Sequence, residues 1–168
     1  MAQAIPEPWL RGALEGVHPA VMPVFFTFAQ VREDLAKHTQ GLTRQDVWRS
    51  LHGAASLGFH IKHIAGSVDR LSTYLAEGQL NETQMRFMRE EGEPNADLGD
   101  LLRLVDSALH KCEEQLKKVD PATLYDARGV GRKALPTTVL GLLVHLAEHT
   151  QRHLGQAITT IKMLRHTS

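Results

Sequence analysis

The chain has a single cysteine, Cys112, so no intrachain disulfide holds it together. That absence excludes a disulfide-stapled secreted scaffold and makes a reducing cytoplasm the expected compartment. No run of about 18 apolar residues occurs, so a membrane span is not expected. The opening Met1-Ala-Gln-Ala-Ile-Pro-Glu-Pro has neither the basic region nor the apolar core of a secretory signal. Charge of neither sign is in surplus: 19 basic residues meet 19 acidic ones. Without a basic excess or stripe, nucleic-acid binding is not expected. No segment alternates cleanly enough for a half-buried strand, and no repeat or linker divides the chain. One domain over residues 1–168 is therefore expected, long enough to bury a core unaided.

What the sequence does have is helical periodicity and ten histidines. A first helix is predicted from about Pro19 to Lys37, with Val24, Phe25, Phe28, Val31 and Leu35 as its apolar stripe and Pro23 in its first turn. Leu42–Trp48 reads as a connector with one short helical turn. A second helix is predicted from about Gly53 to Ala76, carrying Leu57, Ile61, Ile64, Val68, Leu71 and Leu75, with Gly78 as its stop. Residues 79–96 read as a polar crossing loop with room for a short helix. A third helix is predicted from about Asp97 to Lys118, with Leu98, Leu101, Leu102, Val105, Leu109, Cys112 and Leu116 facing inward. Asp120-Pro121 breaks it, and a glycine-bearing loop, Arg128-Gly129-Val130-Gly131-Arg132-Lys133, follows. Pro136 and Thr137 are expected to open a fourth helix running to Leu164. Four long helices with unequal connections indicate an all-α four-helix bundle.

The fourth helix contains His145-Leu-Ala-Glu148-His149-Thr-Gln-Arg-His153-Leu-Gly155-Gln156. At about 100° per residue, side chains four apart leave the same helix face, one turn apart. Two imidazoles so placed can close on one metal ion. His149 and His153 interrupt the stripe formed by Val139, Leu142, Leu146, Ala157, Ile161 and Leu164, where imidazoles need polar partners or a metal. His145 lies at the margin and is an alternative ligand. In the second helix, Phe59-His60-Ile61-Lys62-His63-Ile64 offers a third ligand. Periodicity leans towards His60, which is nearer the stripe, with His63 on its flank. Three imidazoles with an open position form the ligand set of catalytic rather than structural zinc.

Trp48, the segment Ser56-Leu-Gly-Phe-His60-Ile-Lys-His63-Ile64-Ala-Gly-Ser67 and the segment His149-Thr-Gln-Arg-His153-Leu-Gly-Gln156 together resemble the signatures of the DinB/YfiT-like superfamily of metal-dependent bacterial proteins. The resemblance covers nearly the whole chain. It implies a four-helix bundle with up-down-down-up connectivity, often dimeric, and a divalent metal, commonly zinc or nickel. It carries the ligand roles onto His63, His149 and His153, leaving His60 as the fallback. It also implies chemistry of the kind relatives perform, namely transfer of low-molecular-weight thiols, thiol-dependent isomerisation or hydrolysis.

Other residues have narrower readings. Glu148 and Gln156 are candidates for a supporting role beside the ligands, Glu148 turned about 100° from His149. Gly155 and Gly66 suit close helix packing, and Trp48 suits a core anchor. Lys62 and Arg70 read as surface residues with an outside prospect of binding an anionic substrate. Arg128, Arg132 and Lys133 have the same prospect for a carboxylate or thiol cofactor. No catalytic residue is nominated. The expected function is a metal-dependent thiol transferase or hydrolase acting on a small molecule as a homodimer. The alternative is a non-catalytic metal- or ligand-binding bundle associated with stress, or a dimer scaffold.

Overall fold

In the computed structural model, residues 5–166 are described, and the calls on Met1–Ala4 lie outside them. The structure is built mainly of helix. Four long helices form its body: α1 (Met22–His38), α3 (Leu57–Leu75), α5 (Leu98–Leu116) and α6 (Val139–His166). Two short ones, α2 (Arg44–Trp48) and α4 (Glu82–Arg89), lie in the connections. Helix α3 packs against both α5 and α6, and α1 completes the body against α6 and α5. The apolar stripes meet in one core: Leu57, Ile61, Ile64 and Val68 of α3, Leu101 and Leu109 of α5, and Leu146 and Ile161 of α6 are all fully buried. No helix is long and apolar enough to cross a membrane among the described residues.

Local chemistry fixes where the helices begin. Ser56 caps α3 by accepting the Phe59 N–H, and Asp97 caps α5 by accepting the Asp100 N–H. Helix α3 therefore starts four residues after the expected Gly53. His52 and Gly53 have φ values of 50° and 78°, a left-handed stretch that no helix can include. The short helices α2 and α4 each open on a capping box, Thr43 with Asp46 and Asn81 with Gln84.

One expectation is overturned. Residues Ala127–Val130 (β1) and Leu135–Thr138 (β2) form an antiparallel hairpin in a chain expected to be wholly helical. The strands are only four residues long, and none of their residues is buried, so they carry no burial alternation that a sequence could display. Gly129 stands opposite Pro136, and Gly131 turns the chain at φ 71°. Pro136 and Thr137 thus lie in β2 rather than in the last helix. The α6 start is set by Thr138, whose Oγ1 accepts the Gly141 N–H. Arg128 fastens the hairpin to the end of α3, donating Nε to the Leu75 carbonyl at 3.0 Å and pairing with Glu77 at 3.2 Å.

Trp48 ties three elements together. Its indole N–H donates to the Ala96 carbonyl at 2.8 Å, just before α5, and its ring lies over Gly58 in the first turn of α3. A Cβ on Gly58 would stand 2.7 Å from that ring. We expect Gly58→Ala to destabilise the fold by about 1–3 kcal/mol through overpacking. Urea denaturation checks this, and an unchanged midpoint would show that the indole moves aside freely.

Candidate metal centre

The histidines of the middle of α6 meet those of α3 one turn at a time. His63 Nε2 lies 3.0 Å from His149 Nε2, and His60 Nδ1 lies 3.2 Å from His153 Nδ1. The His63 and His153 rings stand closest, with centroids 4.2 Å apart, and His149 follows at 4.7 Å from His153. One ring nitrogen from each of His63, His149 and His153 falls within 4.8 Å of the other two. This is the set that could hold a divalent ion. Two nitrogens on one tetrahedral zinc are about 3.3 Å apart, so the His63–His149 separation is close to what such an ion requires.

The polar contacts of His63 determine which nitrogen is free. Its Nδ1 is 2.7 Å from Glu91 Oε2, while the other carboxylate oxygen accepts from Arg70 Nη1 at 2.7 Å. Glu91 is 3% exposed. Burial works against its ionisation, but the hydrogen bonds from His63 and Arg70 outweigh that and hold the carboxyl below its ordinary range. An ionised carboxylate can only accept, so His63 carries its proton on Nδ1 and turns the Nε2 lone pair towards His149. A carboxylate behind a histidine in this way fixes its tautomer and raises its basicity as a ligand.

The other rings are kept neutral by their surroundings. Burial first, then the proximity of His63, pushes His149 down to about 4; burial, then His63 and His149, does the same for His153. His60 is 6% exposed, and burial followed by His63 holds it below the usual histidine range as well. His149 Nδ1 is buried with no hydrogen-bond partner among the described residues, so the ring's polar contact there is the one at Nε2. Neutral imidazoles with directed lone pairs are the donor set that zinc and nickel accept. Phe59 stacks on His63 at 5.4 Å and presents its edge to His60 and His153, forming one wall.

Over residues 27–157 the sequence matches the DinB superfamily, a span that includes all of these histidines. The chain belongs to the DinB superfamily. No individual curated protein matches it. Within this DinB chain, His60 lies in the centre against His153, whereas His145 and Glu148 border it from the exposed side of His149. His145 pairs with Glu148 at 2.7 Å, and Glu148 is held by Arg152, all on the solvent side of α6. With His149 these two make a second, more exposed grouping of nitrogen and carboxylate atoms. Gln156 is exposed. Gly155 is exposed too, and a Cβ there would meet nothing within 4 Å, so it serves no close helix approach.

Lys62 and Arg70, read as surface residues, are both buried. Lys62 donates Nζ to the Glu90 carbonyl and to Asn95 Oδ1, and lies beside the Trp48 and Phe87 rings, so it pins the loop that carries Glu91. Arg128, as described, is committed to Leu75 and Glu77, and Arg132 lies against Met85. These residues surround a hairpin whose chain joins α6 about 15 Å before His149, so they are remote from the centre. Cys112 is 1% exposed, and burial raises its thiol to about 12, which leaves it protonated and inert.

Glu91 and Phe59 were not singled out as site residues by the sequence. Phe59 adjoins His60 in the chain, so adjacency alone could have nominated it. Glu91 lies 28 positions from His63 in a polar loop, where no periodicity applies.

A pH dependence follows for the metal-free chain. His149 and His153 titrate at about 4 when folded and near 6.5 when unfolded. Between those values the unfolded chain binds more protons, so stability is full above about pH 6.5 and declines as pH falls. We expect the urea midpoint, measured with a chelator present, to drop through this window and to drop less in an H149Q/H153Q variant. An equal slope in both proteins would contradict neutral burial of these rings.

Proposed function

We propose that this DinB protein is a metal-dependent enzyme in which His63, His149 and His153 hold a divalent ion, zinc or nickel, leaving a position for a thiol or a water. The observation that carries this reading is the 3.0 Å approach of two Nε2 atoms, one of them fixed by a buried carboxylate. Such an ion, retaining most of its charge among neutral ligands, lowers the pKa of a thiol or water and polarises a carbonyl.

The chain's own residues do the rest. Glu91 accepts a hydrogen bond from the His63 Nδ1–H and so keeps the Nε2 lone pair available. Arg70 keeps Glu91 charged. His60, buried and neutral, meets His153 at Nδ1 and sets that ring's orientation. Phe59 excludes water from one side of His63. Transfer of a low-molecular-weight thiol and hydrolysis are the two reactions this arrangement suits, both needing a nucleophile deprotonated near neutral pH.

The reading includes up-down-down-up connectivity for α1, α3, α5 and α6. It is supported by the pairing of His60 with His153 and His63 with His149, which sets α3 against α6 in opposite directions. Arg165 near the end of α6 reaches the His38 carbonyl at the end of α1, as parallel helices would allow.

The decisive measurement is metal content of untagged protein. Near-stoichiometric metal is expected in the wild type and in His60→Ala, and loss in His63→Ala and His149→Ala. Glu91→Gln should bind metal about 10–100-fold more weakly while remaining folded. A protein that takes up neither zinc nor nickel would refute the enzyme reading. Stoichiometric metal with no turnover of thiol or hydrolytic substrates would favour a storage or scaffold role.

A further inference from the structure

Arg70 faces two ways. Its Nη1 holds Glu91, and its side chain also lines a half-open cavity of about 260 Å³ between α3, α4 and α5. No histidine lines that cavity. Its walls are mostly apolar, formed by Ala65, Gly66, Phe87, Leu104 and Ala108. A guanidinium has five N–H donors in a planar fork. Arg70 is 9% exposed and makes its one hydrogen bond among the described residues to Glu91. Arg70 thus lines the cavity with its other N–H donors unpartnered among the described residues.

The other charged groups there are already matched. Asp69 lines the cavity, but one of its oxygens accepts from Lys111 at 2.8 Å and the other from Gln84 at 2.6 Å. Lys111, with a side chain 66% exposed, thus balances the Asp69 charge at the rim, and the donors left for an anion are those of Arg70. A mostly apolar cavity with one buried guanidinium edge is complementary to an amphipathic anion. Planar carboxylates match the guanidinium fork, which accepts them through paired hydrogen bonds. At this volume the chamber falls below the roughly 300–1,000 Å³ of sites for drug-sized ligands, so the occupant is small.

We propose that this cavity binds a small monocarboxylic acid, its carboxylate on the free edge of Arg70 and its short apolar tail against Phe87 and Leu104. The site shares Arg70 with the support of His63, but no histidine lines it and it does not require a metal. Hexanoate and hexan-1-ol, titrated into the full chain and followed by amide chemical shifts, test it. Saturable shifts of Gly66, Phe87 and Ala108 are expected with hexanoate, with at least about ten-fold weaker binding of the alcohol. Leu104→Trp, at a partly exposed position, should fill the chamber and abolish binding; Thr83→Trp, on the exposed face of α4, is a second block should the first fail to fold. Equal affinity for acid and alcohol, shifts confined to other regions, or undiminished binding in a folded blocking variant would overturn the proposal. So would the absence of saturable binding.

Discussion

The buried carboxylate of Glu91 is the group on which the arrangement of this protein turns. An ion removed from water is costly unless its partners are close and well oriented, and Glu91 has two, Arg70 and His63, each at 2.7 Å. Removing Arg70 would leave the Glu91 charge without compensation, a loss of about 3–5 kcal/mol in comparable buried pairs. The surrounding sequence makes room for that carboxylate. A Cβ on Gly66 would lie 2.5 Å from Glu91 Oε1 and 2.7 Å from the Phe87 ring, so the absence of a side chain there lets the loop approach α3. Lys62 then holds the same loop by its carbonyls and by Asn95. Three consecutive turns of α3 thus supply a cation that fixes the loop, a gap that admits it and a cation that balances its charge.

Much of this was legible in the sequence because helical burial has a period. The stripes of α3, α5 and α6 fall where the apolar residues recur, and His149 and His153 face a neighbouring helix because they interrupt such a stripe. Periodicity reports burial, however, and not partnership. It favoured His60 over His63, and His60 is indeed the more buried of the two. Yet His63, on the flank, is the ring that meets both Glu91 and His149. The family resemblance pointed to His63, where angle alone could not.

What the sequence hid lay in the connections. The hairpin has strands of four residues with little burial, too short for alternation to register. Glu91 is one of several acidic residues in a polar stretch, and only the tertiary fold brings it against α3. Lys62 and Arg70 were placed at the surface on the ordinary expectation for cations, which fails when a loop covers the helix and provides acceptors. The misreadings of Glu91, Lys62 and Arg70 share one cause: the 79–96 segment folds over α3 and buries Glu91 against it.

The contrast between two histidine–carboxylate pairs shows why position matters more than composition. His145 with Glu148 and His63 with Glu91 are both 2.7 Å pairs. Glu148 sits on the outer face of α6, shared with Arg152 and screened by water, where such contacts contribute little. Glu91 is enclosed, so its orientation is fixed and so is the tautomer of the ring it holds. Only the enclosed pair can direct a lone pair consistently at one point in space. The outer pair has the same atoms at the same distance, but solvent can exchange its partners freely. Directed donors, rather than a local abundance of histidine, are what distinguish the α3–α6 cluster from the surface of α6.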